Sequence, residues 1–306
     1  MKRLLALLLA ALCCVPFAAA EENAGDLYTE NIWNFVDESM DISGGIPENA
    51  GGVLDRIRTR GKLIIATNAD WAPQEFIDPD KSGQDQFVGA DMEFARRIAE
   101  RMGVELEIRN MDFTEVLSAV AEDSCDLAIS ALAFIPSRAA LVEMSKGYYY
   151  TESTASTGII IREEDRDDIL TVDDLSGKIL VAQRGSLQED LGAGNIKHYR
   201  EYRRLQQMED IYRQVETSMA DAGIVDMETA SEYISLNPGC GLILVESIQF
   251  SLEDYQKGDR VAGKKGDTAL IAFVNGVIDE ITENGEYMKW IHEAEQRSRE
   301  LGMAEE

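Results

Sequence analysis

The sequence predicts an α/β protein of two lobes, each built on a largely parallel sheet. Three observations carry this. At 306 residues the chain is long enough for two domains, taking roughly 100–200 residues for each. Short continuous apolar runs alternate with stretches of helical periodicity, the pattern of strands buried on both faces between helices. The alternation runs through once, to Ile129, and begins again at Gly158.

The first twenty residues stand apart. Lys2 and Arg3 precede an apolar run, Leu4 to Leu12, and Ala18-Ala19-Ala20 offers a small-x-small cleavage site before Glu21. That is the plan of a secretory signal peptide, residues 1–20. Pro16 interrupts a stretch already at the short limit for crossing a bilayer, which disfavours an anchor. A lipid anchor at Cys13 or Cys14 is the lesser alternative, because bulky Leu12 precedes them where lipoprotein signals carry a small residue. Residues 21–50 read as an acidic N-terminal extension. Its apolar patch, Ile32, Trp33, Phe35 and Val36, is expected as one docked helix, followed by a loop at Ser43-Gly44-Gly45-Ile46-Pro47.

Each later element has its own warrant. Val53 to Ile57 reads as a helix stopped by Gly61, and Leu63 to Ala66 as a buried strand. Phe87-Val88-Gly89 leads into a helix on which Met92, Ala95, Ile98, Ala99 and Met102 recur at helical spacing, closed by Gly103. Val104 to Ile108 alternates as a strand, Glu115 to Glu122 is a helix, and Asp126 to Ile129 a buried strand. In the second series Gly158–Ile161, Lys178–Ala182, Ala222–Val225 and Leu242–Val245 are strands. Leu187–Leu191, Met208–Met219 and Met227–Ser235 are helical. Thr268 to Asn284 carries Leu270, Val274, Val277, Ile278 and Ile281 on one side, and Tyr287 to Leu301 continues as helix after Gly285.

Composition excludes several functions. The 57 acidic against 29 basic residues give −28, a surface that repels nucleic acid and anionic lipid. Two histidines and four cysteines, without C-x-x-C or H-E-x-x-H spacing, argue against a zinc site. No G-x-S-x-G elbow, P-loop or Rossmann glycine pattern occurs, and Gly192-Ala193-Gly194 follows a helix as a turn. His198 and His292 read as surface or packing residues, so no catalytic residue and no cofactor is assigned. Once the leader is removed, Cys125 and Cys240 fall in different lobes and are expected as separate thiols.

Ligands of open α/β sheets bind beyond the carboxyl ends of strands, and five positions there carry polar or aromatic residues. Trp71 follows the first strand in Thr67-Asn68-Ala69-Asp70-Trp71-Ala72-Pro73. Phe113 follows the strand ending at Ile108. Ser130 to Ala133 follow the strand Asp126–Ile129, with Arg138 just beyond. Gly185-Ser186 opens a helix, and Asp226 can cap the next one. Singly these are core aromatics, a surface arginine and N-caps worth about 1 kcal/mol. Together they suit a zwitterion. A guanidinium grips a carboxylate with parallel hydrogen bonds, a helix N-terminus adds N–H donors, and a carboxylate takes an ammonium.

Several phrases are recognisable: Gly61-Lys62-Leu63, Phe87-Val88-Gly89-Ala90-Asp91, Pro136-Ser137-Arg138, Asp173 to Lys178, Asp221-Ala222 with Asp226, Val274-Asn275 and Glu283 to Tyr287. In their order and spacing the chain resembles, from about Val53 to Trp290, the family 3 extracellular solute-binding proteins of ABC importers. These include the lysine/arginine/ornithine- and glutamine-binding proteins. The resemblance implies a two-lobed periplasmic-binding-protein fold of type II topology, with two hinge-crossing strands. Lobe 1 would comprise residues 51–153 plus 262–306, and lobe 2 residues 154–261. Arg138 would hold the ligand α-carboxylate and Asp226 the α-ammonium. Trp71 and Phe113 would sandwich the side chain, and Asn68 and Asp70 would lie near its end. Main-chain groups at Ser130, Ala131 and Ala133 would line lobe 1, and Ser186 would meet the carboxylate from lobe 2. The chain departs from the family at Ala131, Ala133 and Ile135, where hydroxyls are usual. That favours a ligand with a modified amino end, or a greasier one.

The expected function is capture of an amino acid, or a close analogue, by an exported monomer that serves an ABC-transporter permease. The lobes would close around the ligand by hinge motion. The alternative is an exported cyclohexadienyl or arogenate dehydratase on the same fold, which would need a cleft acid. Asp70 favours a basic ligand and Arg184 an acidic one, and the sequence leaves the choice open.

Overall fold

The computed structural model describes residues 36–150, 157–251 and 257–303. The predicted leader and the patch at Ile32–Phe35 lie outside these residues, as does the junction expected between lobe 1 and lobe 2 at 153–154. Residues 36–50 are irregular, with turns at Ser43–Gly45. They dock through Val36 N–H to Met144 O and Met40 N–H to Ala272 O.

The first series begins with α1 (Gly52–Arg60), β1 (Lys62–Thr67) and a small antiparallel sheet of β2 (Asp70–Trp71), β3 (Glu75–Ile77) and β4 (Phe87–Val88). Then come α2 (Ala90–Met102), β5 (Glu105–Asn110), α3 (Phe113–Ala121), β6 (Leu127–Ala133), α4 (Pro136–Leu141) and β7 (Val142–Met144). The second series is β8 (Thr157–Arg162), β9 (Ile179–Gln183), α5 (Leu187–Asn195), β10 (Glu201–Leu205), α6 (Met208–Glu216), β11 (Ala222–Asp226), α7 (Met227–Leu236) and β12 (Leu242–Phe250). β13 (Asp259–Lys264), α8 (Thr268–Glu283) and α9 (Glu286–Glu300) complete the chain.

Two five-stranded sheets result, ordered β5-β1-β6-β13-β7 and β10-β9-β11-β8-β12. β1 is parallel to β5 and β6, and β9 is parallel to β10 and β11. β13 and β8 join their sheets antiparallel. The apolar runs are apolar because both faces of each sheet are covered. Leu63 and Ile65 pack with α1, α2, α8 and α9, while Ile64 and Ala66 pack with α3. Ile159 and Ile161 likewise lie in a different cluster from Ile160 between them. Each such side chain contributes about 1.5–3 kcal/mol by leaving water.

Helix ends follow the sequence signals. Gly61 and Gly103 end α1 and α2 in the left-handed conformation, at φ 68° and 69°. Gly89, at φ 116°, has a packing reason: a Cβ there would sit 2.2 Å from Gln74 O. That close approach lets Gln74 O accept from Asp91 N–H and fixes the β2–β3 turn on α2. Several expectations need correction. β6 runs on through Ala133, so Ser130–Ala133 lie within the strand and not beyond it. Strand β5 reaches Asn110, and α3 opens at Phe113. The short strands β2, β3, β4 and β7 carry too few residues to show a period, and β10, with only Tyr202 and Leu205 apolar, lacks the continuous apolar run of a buried strand.

Candidate functional site

One cavity of about 570 Å³ lies between the two sheets. All ten residues singled out from the sequence line it: Asn68, Asp70, Trp71, Phe113, Ser130, Ala131, Ala133 and Arg138 from the first series, Ser186 and Asp226 from the second. They converge because β1, β6, β9 and β11 all deliver their carboxyl ends to this side.

Arg138 dominates the first wall. It is 6% exposed; Nη1 donates to Ala133 O at 3.0 Å and Nη2 to Gly185 O at 2.6 Å. The Phe113 ring lies 5.4 Å from Cζ, a cation–π placement. Phe113 therefore supports the guanidinium as well as lining the cavity. Arg138 forms no ion pair among the described residues. Burial pushes its guanidinium down to about 10, with Asp190 as the opposing charge. A buried cation lacking an anion is costly, and three of its five N–H groups carry no bond to the described residues.

Ser186 and Asp226 are the N-caps that the cautious sequence reading allowed. Ser186 Oγ accepts from Glu189 N–H at 3.0 Å, and Asp226 Oδ1 from Glu228 and Thr229 N–H, each at 3.0 Å. Capping and lining the cavity are compatible for Asp226, because a carboxylate has a second oxygen. Burial pushes Asp226 up to about 6, against the pull of the Thr229 hydrogen bonds. Asp70, on β2, is pushed up to about 7 by burial, opposed by the Met208 N–H at the start of α6 and reinforced by Asp112. Its Oδ2 has no hydrogen-bond partner among the described residues.

Ser130 and Ala131 are spent differently from the expectation. Ser130 Oγ donates to Glu75 Oε1 at 2.9 Å and accepts from Asn68 N–H at 3.1 Å. Ala131 N–H donates to Asp91 Oδ2 at 2.9 Å, so it is not offered to the cavity. Asp91, fully buried on α2, also accepts from the Tyr148 and Tyr287 hydroxyls at 2.8 and 2.7 Å. Burial and the neighbouring Asp91 charge push Glu75 well above the usual carboxylate range. Sequence reasoning missed Glu75, Asp91, Tyr148 and Tyr287. Asp91 and Tyr287 do stand in two of the recognisable phrases, but an acid in the first turn of a helix usually serves the helix dipole, and nothing local assigns either a role at the site.

The walls also touch directly. Gln183 Nε2 donates to Asn68 Oδ1 at 3.3 Å, Gln206 Nε2 to Asp112 Oδ2 at 2.8 Å, and Gln207 Nε2 to Asp112 Oδ1 at 3.3 Å. Cys125 is buried and Cys240 half-buried, without a bridge between them.

Similar proteins share this architecture. The arginine-binding extracellular protein ArtP of Bacillus subtilis is 29% identical over 230 residues, 74% of this chain and 84% of that one. The solved amino acid ABC transporter substrate-binding protein AbpA of Streptococcus pneumoniae, bound to L-arginine, is 30% identical. It covers 80% of this chain and 98% of its own, with a TM-score of 0.69. The ancestral amino-acid-binding protein AncCDT-1, a precursor of cyclohexadienyl dehydratase, shares the fold at a TM-score of 0.66. It is 22% identical, covering 79% of this chain and 99% of that one. Residues 63–293 match the family profile across both sheets, and the chain belongs to the bacterial extracellular solute-binding proteins, family 3.

Proposed function

We propose that this chain captures an amino acid with a positively charged side chain in the cleft between its sheets and delivers it to an ABC-importer permease. The observation that carries the reading is Arg138, buried and without an anion, in the cavity that also holds Asp70 and Asp226. A ligand carboxylate supplies the missing charge, its ammonium meets Asp226, and its cationic side chain reaches Asp70 between Trp71 and Asn68. Backbone donors after Ser186 add to the carboxylate site. The arginine ligand of the solved relative agrees with this arrangement.

The family is extracellular, so the protein works outside the cytoplasm; residues 1–20 act as the leader, and release as a free monomer fits better than a lipid anchor at Cys13 or Cys14. The two sheets, each with its helices, move as two bodies about the crossings, and β13, from Asp259, goes with the first sheet rather than changing body at residue 262. The protein binds without catalysing. A thermal-shift screen of the twenty amino acids tests this: arginine, lysine or ornithine should raise Tm, since ligand at a hundredfold over Kd adds about 2.7 kcal/mol. A response confined to acidic or apolar amino acids would overturn it, and phenylpyruvate release from prephenate would establish the dehydratase instead.

A further inference from the structure

Asp259, the first residue of β13, lines the cavity and has no role in the site described so far. Its backbone is spent: the N–H donates to Tyr149 O and the carbonyl accepts from Tyr148 N–H, each at 2.9 Å. Its side chain is half-buried and makes no hydrogen bond or ion pair among the described residues. Burial pushes its carboxyl well above the usual range, and the two charges that add to this, Asp91 and Asp226, are both negative. Asp226 stands on the other wall, at the end of β11. Two acids, one from each wall, thus act on each other at the cavity, and neither has a lysine or arginine partner among the described residues.

The register of the first sheet says which part of a ligand Asp259 meets. β13 pairs with β6 so that Asp259 lies opposite Ala133, and direct antiparallel partners have Cα atoms about 4.5–5.5 Å apart. Ala133 O in turn holds Arg138 Nη1. A ligand carboxylate on Arg138 therefore brings the ammonium of the adjoining carbon toward Asp259. β6 itself has no side-chain acceptor to spare there. Ser130 Oγ is engaged by Glu75 and by Asn68 N–H, and Ala131 and Ala133 carry no polar atom on the side chain.

We infer that Asp259 is a specificity-determining residue: with Asp226 it holds the ligand α-ammonium from the two walls, and so selects amino acids whose amino group is free and charged. The inference rests on the amino-acid reading of the site and adds to it a reason for rejection. With no ammonium between them, two carboxylates repel as the walls approach, so a ligand whose amino group is missing or neutral works against closure.

Calorimetry with L-arginine and its deaminated analogue 5-guanidinopentanoate tests it. The protein should bind L-arginine at least about a hundredfold tighter, and Asp259→Asn should weaken L-arginine about tenfold, the worth of one charged hydrogen bond. The same variant should bind 5-guanidinopentanoate as well as before or better, with an unchanged melting temperature. Asp259→Ser provides a second variant with the same expected readout. Discrimination that stays the same in both variants, or equal losses for both ligands, would overturn the inference; discrimination lost only in Asp226→Asn would overturn it too, leaving the amino-acid reading intact. Failure of L-arginine, L-lysine and L-ornithine alike to bind the parent would remove that reading, and the inference with it.

Discussion

Arg138 Nη2 donates to Gly185 O at 2.6 Å, from the first series of elements to the second. Gly185 is held for this role: its backbone has φ 74°, and its N–H donates to Glu189 Oε2 at 2.6 Å. The same guanidinium proposed to grip the ligand thus also ties the two walls together. Closure and carboxylate capture then share one side chain.

Replacing Arg138 is therefore expected to remove both. Arg138→Ala should weaken L-arginine binding more than a hundredfold by calorimetry, since breaking a buried charge pair costs about 3–5 kcal/mol. Arg138→Lys should recover little of this, because an ammonium cannot make parallel bonds to a carboxylate. Full-strength binding by Arg138→Ala would reject the assignment.

The carboxyls of the cavity give binding a pH dependence of known sign. Asp70 titrates near 7 and Asp226 near 6, both raised by burial. A cationic ligand favours their ionised forms, so affinity should rise from pH 5 to 7.5, by about tenfold per pH unit for each group below its pKa. Binding should release protons, seen as a buffer-dependent heat. Stability of the free protein runs the other way. A carboxyl whose folded pKa lies above its unfolded value of about 3.9 stabilises the fold below that value, and the contribution is lost as pH rises to about 7. Asp70→Asn should accordingly flatten the fall in Tm between pH 4.5 and 7.5.

The convergence of site residues was legible because it depends on strand ends and helix starts, which leave local marks. Ser186 and Asp226 carry the N-cap signature, and Trp71 and Arg138 follow apolar runs. What could not be read is how each polar atom is spent. Whether Ala131 N–H faces a ligand or Asp91 depends on α2 packing across β6, a contact between residues 40 positions apart.

Asp91 and Ala131 make a coupled prediction. Ala131 has φ 43°, in the left-handed region that costs an L-residue about 1–2 kcal/mol. Ala131→Gly relieves that cost while adding about 0.4–1 kcal/mol of unfolded-state freedom. Its Tm should equal or exceed that of the parent. Asp91→Ala should destabilise by about 3 kcal/mol or more, because it strands two buried tyrosine hydroxyls and the Ala131 N–H together. A clear drop in Tm for Ala131→Gly would show that Asp91 holds an unstrained backbone.

Asn275 makes the last test, at the N-terminal strap. It is fully buried on α8. Its Nδ2 donates to Val36 O at 2.6 Å and Glu38 O at 2.9 Å, and its Oδ1 accepts from Lys146 N–H at 3.1 Å. One amide thus satisfies three backbone groups of two segments otherwise remote in sequence. Asn275→Leu keeps the volume but strands all three, at about 1–3 kcal/mol for each group that water cannot reach. Global stability by urea unfolding should fall by at least about 2 kcal/mol, and amides of residues 36–46 should exchange faster than those of β1. Asn275→Asp should not restore stability, since its carboxylate still accepts from Lys146 N–H but faces the Val36 and Glu38 carbonyl oxygens with no proton to donate. Unchanged exchange in the strap would mean that apolar packing of Val36, Met40 and Ile46, with the Val36 and Met40 backbone bonds, holds it without Asn275.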